Sequence, residues 1–87
     1  NNEALGAEYY KLDAHKMDVS TSMITTPDLG AVAVAMGGRG RLAKTIDELV
    51  AGAAEWVKKP GPMMIDLRIS RTVPSVPYRR IHYGMDE

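Results

Sequence analysis

Thr45-Ile46-Asp47-Glu48 and the change of hydrophobic period past Pro60-Gly61-Pro62 constrain this chain's fold more than any other feature. The tetrapeptide is a capping box, in which Thr45 and Glu48 satisfy each other's backbone donors as a helix starts. Ile46, Leu49, Val50, Ala53 and Val57 follow at helical spacing, with Lys58-Lys59 at the end where a cation is favoured. Pro60-Gly61-Pro62 stops that helix. Met63, Ile65, Leu67 and Ile69 then alternate with Met64, Asp66, Arg68 and Ser70, the period of a strand. Arg39 to Ala43 is a short strand candidate upstream. Two strands separated by a helix imply a parallel crossover, and parallel sheets are normally covered on both faces. Two strands are too few for such a sheet, since three or more are usually needed.

The remaining elements follow the same logic. Residues 4 to about 15 form a first helix, with Leu5, Tyr9 and Leu12 on one side and His15-Lys16 at its C-terminus. A polar loop runs from Asp18 to Thr25. Thr26 is the expected N-cap and Pro27 the first helical residue of a second helix, which ends at Gly37-Gly38. Ala31-Val32-Ala33-Val34-Ala35-Met36 is apolar nearly all round, which calls for burial on more than one side. The fold class is therefore α/β, and the piece is incomplete alone: the last helices and strands of a domain whose earlier strands lie upstream. There is no internal repeat. The chain does not begin with Met, so either it is processed or its numbering starts inside a longer polypeptide.

Charge excludes some partners. Lys plus Arg and Asp plus Glu number 11 each, so nothing electrostatic points to nucleic acid or an anionic membrane. With no cysteine, disulfides and thiolate metal sites are excluded, though the compartment is not decided. No apolar run approaches the ~20 residues of a membrane helix, and no signal peptide is visible. A cytoplasmic location is expected.

Chemistry concentrates at the start. Asn1-Asn2 precedes Leu5-Gly6-Ala7-Glu8. Tandem carboxamides can place a side-chain oxygen on a hard cation while a nearby backbone carbonyl supplies a second ligand. Gly6 lets the chain pass close to a phosphate where a helix begins. The same residues also read as an ordinary turn and N-cap.

Asn1-Asn2-Glu3-Ala4-Leu5-Gly6-Ala7-Glu8 resembles the second half of the thiamine diphosphate signature, which begins with Gly-Asp-Gly and ends in Asn-Asn. The likeness continues through Thr26-Pro27-Asp28-Leu29, Met36-Gly37-Gly38-Arg39-Gly40, Thr45-Ile46-Asp47-Glu48-Leu49, Gly61-Pro62-Met63-Met64-Ile65-Asp66-Leu67 and Val73-Pro74-Ser75-Val76-Pro77. In that order these resemble the C-terminal end of acetolactate-synthase-like enzymes across about residues 1 to 77. The Gly-Asp-Gly half is absent, so the chain holds only part of such a site.

The resemblance implies a thiamine diphosphate- and Mg²⁺-dependent enzyme that makes or breaks carbon–carbon bonds next to a carbonyl. Residues 1–70 would be the C-terminal part of its diphosphate-binding domain and 71–87 a C-terminal tail or lid. Asn2 would give its side-chain oxygen and Ala4 its backbone carbonyl to Mg²⁺, with an upstream Asp completing the protein ligands. Glu3 lies between the two, with no metal-binding role required of its side chain. Leu5 and Gly6 would face the diphosphate.

Glu8 matches the acidic residue that 2-keto-acid decarboxylases of this superfamily direct at the thiazolium and substrate, a general acid or base. Acetolactate synthases proper are usually apolar there, which puts simple acetolactate synthesis in doubt. Glu8 also reads as a first-turn acid favoured by the helix dipole.

The implied partners are the rest of the same enzyme (the upstream Gly-Asp-Gly half and a pyrimidine-binding domain), a 2-keto acid or 2-hydroxyacyl-CoA substrate, and further copies in a homodimer or homotetramer. A 2-hydroxyacyl-CoA lyase is the nearest alternative, supported by Glu8 and by Tyr78-Arg79-Arg80-Ile81-His82-Tyr83, whose arginines and aromatics suit an anionic or nucleotide-bearing substrate. A tail packed on a neighbouring subunit is the competing reading of that segment. A non-catalytic assembly or regulatory module derived from such an enzyme is an alternative of another class. Val73-Pro74-Ser75-Val76-Pro77, with two prolines, is expected to leave the sheet edge as an extended arm.

Overall fold

The computed structural model describes residues 1–84. Helix α1 (Gly6–Ala14) is followed by a 3₁₀ turn (Ser20–Ser22) and helix α2 (Leu29–Ala35). Strand β1 (Arg39–Ala43), helix α3 (Ile46–Lys58) and strand β2 (Met63–Leu67) come next, and helix α4 (Val76–Tyr83) is last. Among the described residues this is a small α/β arrangement with four α-helices and a two-stranded sheet. The strands are parallel, with Arg39 opposite Met63 and Ala43 opposite Leu67. The crossover expected from the capping box and the change of period is therefore present.

Helices cover both faces of the pair. On one face α3 approaches so closely that a Cβ on Gly52 would lie 3.0 Å from Ile65 Cδ1 and 3.1 Å from Arg41 Cδ. On the other, α2 lies against the backbone of β1. A Cβ on Gly40 would stand 1.8 Å from the Gly30 carbonyl oxygen, and one on Gly30 would stand 2.5 Å from the Arg41 amide nitrogen. Only two glycines permit a helix and a strand to touch backbone to backbone.

Several ends differ from the sequence expectation. α2 is capped by Asp28, whose carboxylate accepts from the Ala31 amide at 3.0 Å, and not by Thr26. Thr26 is engaged elsewhere, its hydroxyl accepting from Asn1 Nδ2 at 3.0 Å. Gly37, at φ 93, closes α2 as expected: the Gly38 amide reaches back to the Ala33 carbonyl at 2.9 Å. In the capping box Thr45 Oγ1 accepts from the Glu48 amide at 3.1 Å, but Glu48 accepts from Lys44 N–H at 2.9 Å, one residue earlier than expected.

α1 begins at Gly6 rather than at residue 4, because Ala4 sits in an antiparallel bridge with Met23. The tail is the largest correction. It does not leave as an extended arm: Ser75 accepts from the Tyr78 amide at 3.3 Å and caps α4, in which Pro77 occupies the first turn, where no amide donor is needed. α4 folds back onto α1. Tyr78 Oη donates to the Ala7 carbonyl at 3.1 Å, and the Tyr10 and Tyr78 ring centroids lie 5.1 Å apart. The last three residues of the predicted 71–87 tail lie outside the described residues.

The interior is slight. Among the described residues Ala43 is the buried apolar residue, whereas Val34, Met36, Ile46, Val50 and Trp56 are exposed. The radius of gyration is 16.1 Å, against about 12 Å for a compact chain of this length. The accessible surface is 6269 Å², against roughly 5,000 Å² for a compact monomer of this mass. Both measures agree with a set of elements that does not bury its own apolar faces, as the all-round apolar pattern of residues 31–36 implies.

Candidate functional site

The residues before α1 cross the carboxyl end of β2. The Asn1 amino nitrogen donates to the Leu67 carbonyl at 2.8 Å, and the Ile69 amide donates to the Asn1 carbonyl at 3.1 Å. The chain past β2 has by then left β1, its last bond there being Arg68 N–H to the Ala43 carbonyl at 2.8 Å. Asn1 thus continues the sheet on the outer edge of β2. In open α/β sheets this is where ligands bind, outside the carboxyl ends of the strands.

The two asparagines do different work. Asn1 Nδ2 donates to Asp66 Oδ1 at 3.1 Å and to Thr26 Oγ1 at 3.0 Å, while Asn1 Oδ1 accepts from the Glu3 amide at 3.0 Å. Its carboxamide is committed at both ends. Asn2 Oδ1 accepts a single longer bond, from the Ala4 amide at 3.3 Å. Its carbonyl accepts from Arg71 Nε at 3.3 Å.

The bridge between Ala4 and Met23 is closed by the neighbours of Ala4: Leu5 N–H donates to the Ser22 carbonyl at 2.8 Å and Ile24 N–H to the Glu3 carbonyl at 2.9 Å. In such a pair the backbone groups of the bridged residue point away from the partner strand, so the Ala4 carbonyl faces outward. Gly6 lies close against Asn2: a Cβ there would stand 3.1 Å from Asn2 Nδ2 and press on that side chain. Glu3 takes the left-handed backbone conformation, φ 54, which a non-glycine residue holds at a cost and which tends to occur at functional sites.

A polar network supports this segment. Asp66 is 3% exposed and accepts from the Leu29 amide at 3.1 Å, from Asn1, and from Arg68 Nε at 3.1 Å and Nη2 at 2.9 Å. The Arg68 hydrogen bonds hold its carboxyl down at about 2; burial opposes them, and the Leu29 and Asn1 donors assist. Arg68 also donates to the Pro27 carbonyl at 2.7 Å and pairs with Glu3 Oε1 at 2.9 Å. Glu3 is held below the usual carboxylate range first by the Thr26 amide, against burial, and then by Arg68. Asp66 and Arg68 were legible only as the polar half of a strand; their shared work depends on where β2 ends.

Glu8 stands in the first turn of α1 and is exposed. It borders a depression of about 300 Å³ formed with Leu5, Lys11, Leu12, Thr21 and Ser22. Among the described residues nothing encloses it in apolar surroundings. The tail approaches from the other side: burial first, and then Tyr83, Glu8 and Tyr10, push the Tyr78 hydroxyl up. Asn2, Ala4, Leu5, Gly6 and Glu8 therefore lie together at one end of the sheet.

The remaining side chains that could carry chemistry lie elsewhere. Arg41 pairs with Glu55 of α3 and Arg39 donates to the Lys59 carbonyl. Trp56 Nε1 donates to the Gly61 carbonyl at 3.0 Å, tying the turn before β2. His15 caps α1, and His82 stacks on Tyr78 with ring centroids 4.3 Å apart.

Among the described residues no group of three or more His, Cys, Asp or Glu side chains could hold a metal ion. The candidate donors here are instead a carboxamide and a backbone carbonyl, oxygen ligands of the kind Mg²⁺ takes. No described helix is long and apolar enough to cross a membrane. No family model, no curated protein and no solved structure matches the chain.

Proposed function

We propose that this chain is the C-terminal part of the diphosphate-binding domain of a thiamine diphosphate- and Mg²⁺-dependent enzyme, acting on a carbon–carbon bond next to a carbonyl. The observation that carries the reading is the position of Asn1–Gly6 across the carboxyl end of parallel strand β2. Asn2 would hold the ion through Oδ1, which has one weak partner, and Ala4 through its outward carbonyl. The Leu5 amide is already spent on the Ser22 carbonyl, so the first turn of α1 from Gly6 on would face the diphosphate, and the missing Cβ of Gly6 leaves the space that Asn2 occupies. Two protein oxygens do not fill an octahedral shell, so the remainder of the enzyme supplies the third protein ligand.

When bound, thiamine diphosphate supplies the carbanion chemistry at the carbonyl carbon. The residues of this chain bind, orient and move protons. Glu8 lies within the first turn after the proposed ion ligands, and its carboxyl would carry the proton exchanged with substrate. Such an enzyme would act in the cytoplasm on a 2-keto acid, as a homodimer or homotetramer.

A 2-hydroxyacyl-CoA lyase is favoured as a second reading by α4, which packs on the helix carrying Glu8 and brings Arg79 and Arg80 with it. Titrating thiamine diphosphate into the intact protein in excess Mg²⁺, with and without Asn2→Ala, tests the main reading. Loss of cofactor affinity in the variant supports it. Equal affinity reduces the doublet to a cap, and an unmodified protein that takes up no cofactor would point to a non-catalytic module.

A further inference from the structure

We propose that Asn1, Asp66 and Arg68 are positioning residues that set the backbone of Asn2–Ala4 for the ion, without touching it themselves; this rests on the reading of the site given above. Asn1 spends both Nδ2 hydrogens on Asp66 and Thr26 and accepts from the Glu3 amide through Oδ1, so the orientation of its carboxamide is fixed from both ends. The same three bonds hold the residue on one side of Asn2. On the other side Glu3 is held by Arg68 at 2.9 Å and by the Thr26 amide at 3.1 Å, at a φ of 54. Asn2 is therefore bracketed by two residues whose side chains end on the paired Asp66 and Arg68, Asn1 on the first and Glu3 on the second.

That centre is built for rigidity. Asp66 draws donors from three places in the chain: Asn1, the Leu29 amide in the first turn of α2, and Arg68 just past β2. Arg68 presents a planar fork to Asp66 and still reaches Glu3 and the Pro27 carbonyl. A lysine could keep the charge but not the fork. Groups that orient metal ligands in this way typically change metal affinity by 10- to 100-fold when removed. Asn1 and Asn2, identical in the sequence, so divide the work between anchoring and ligation.

The test uses the intact enzyme and reads the Mg²⁺ concentration at which half the thiamine diphosphate is retained after gel filtration. Asn1→Ala and Arg68→Lys are compared with Asn2→Ala and the unmodified protein; Asn1→Ala removes no charge and keeps the variant set informative if Arg68→Lys fails to fold. Both clamp variants are expected to need roughly 10- to 100-fold more Mg²⁺, and saturating Mg²⁺ should restore full retention. An unchanged Mg²⁺ requirement in both, beside a weakened Asn2→Ala, overturns the clamp and leaves the proposed function standing. So does a lower melting temperature without a change in Mg²⁺ requirement, which marks a purely structural network. If Asn2→Ala itself retains cofactor normally, the site reading falls and the clamp falls with it.

Discussion

Gly40→Ala puts the packing of α2 on β1 to a direct test. The added Cβ would stand 1.8 Å from the Gly30 carbonyl oxygen, 2.4 Å from its carbonyl carbon and 2.6 Å from its Cα. All three atoms are backbone, so no side-chain rotation relieves the contact. Reaching an ordinary separation of roughly 3.5 Å requires α2 to back away by well over 1 Å. A shift of that size would also carry the Leu29 amide, 3.1 Å from Asp66 Oδ2, beyond hydrogen-bonding range.

Overpacking of this kind costs about 1–3 kcal/mol, and with backbone on both sides the upper end is expected. That is a large share of the 5–15 kcal/mol that typically stabilises a domain. Urea denaturation of the intact protein, followed by far-UV circular dichroism, reads the loss. Gly30→Ala presses on the same contact from the helix side, its Cβ 2.5 Å from the Arg41 amide nitrogen. One displacement of α2 relieves both, so the double variant should cost clearly less than the sum of the single ones. A Gly40→Ala cost below about 0.5 kcal/mol, the usual scale of an indifferent surface change, would refute the close approach. Strict additivity would refute the shared displacement.

Three further outcomes are expected. Asp66, held at about 2 against an ordinary 3.8, contributes stability that is complete above the ordinary value and lost as pH falls through the lower one; protection of the Leu29 amide against hydrogen exchange should therefore persist at pH 4 and fail toward pH 2, and its loss already above pH 4 would contradict the network. Glu8→Gln should leave cofactor binding intact while turnover in the intact enzyme falls ~10²-fold or more; near-normal turnover in steady-state assays would reduce Glu8 to a residue favoured by the helix dipole. Truncation after Ser70 removes α4, which packs on α1 of its own chain, so light scattering should show an unchanged oligomeric mass while KM rises, most for a CoA substrate; an altered mass would make the tail an assembly element instead.

Residue types and their spacing were enough to determine the two strands and the helix between them. The period of Ile46 to Val57 and the alternation of Met63 to Leu67 reflect which face of an element is apolar, a property each segment carries by itself. Both strands, the crossover helix and its parallel arrangement were legible for that reason, as was the end of α2 at Gly37-Gly38. The cap of α2 and the course of the tail were not. Thr26 and Asp28 are both N-cap residue types; Asp28 caps the helix, while the Thr26 hydroxyl is engaged by Asn1, distant in sequence. Two prolines near residue 75 read as a break, yet Ser75 caps α4 and Pro77 sits where a helix has no donor to lose. At the candidate site the sequence marked Asn2, Ala4, Gly6 and Glu8 by their order, but gave no sign of Asp66 and Arg68 as partners of Asn1 and Glu3. Those groups meet only because β2 ends where the start of the chain crosses it. Contacts across more than sixty residues depend on how the strands register and where each one stops, and no local pattern records that.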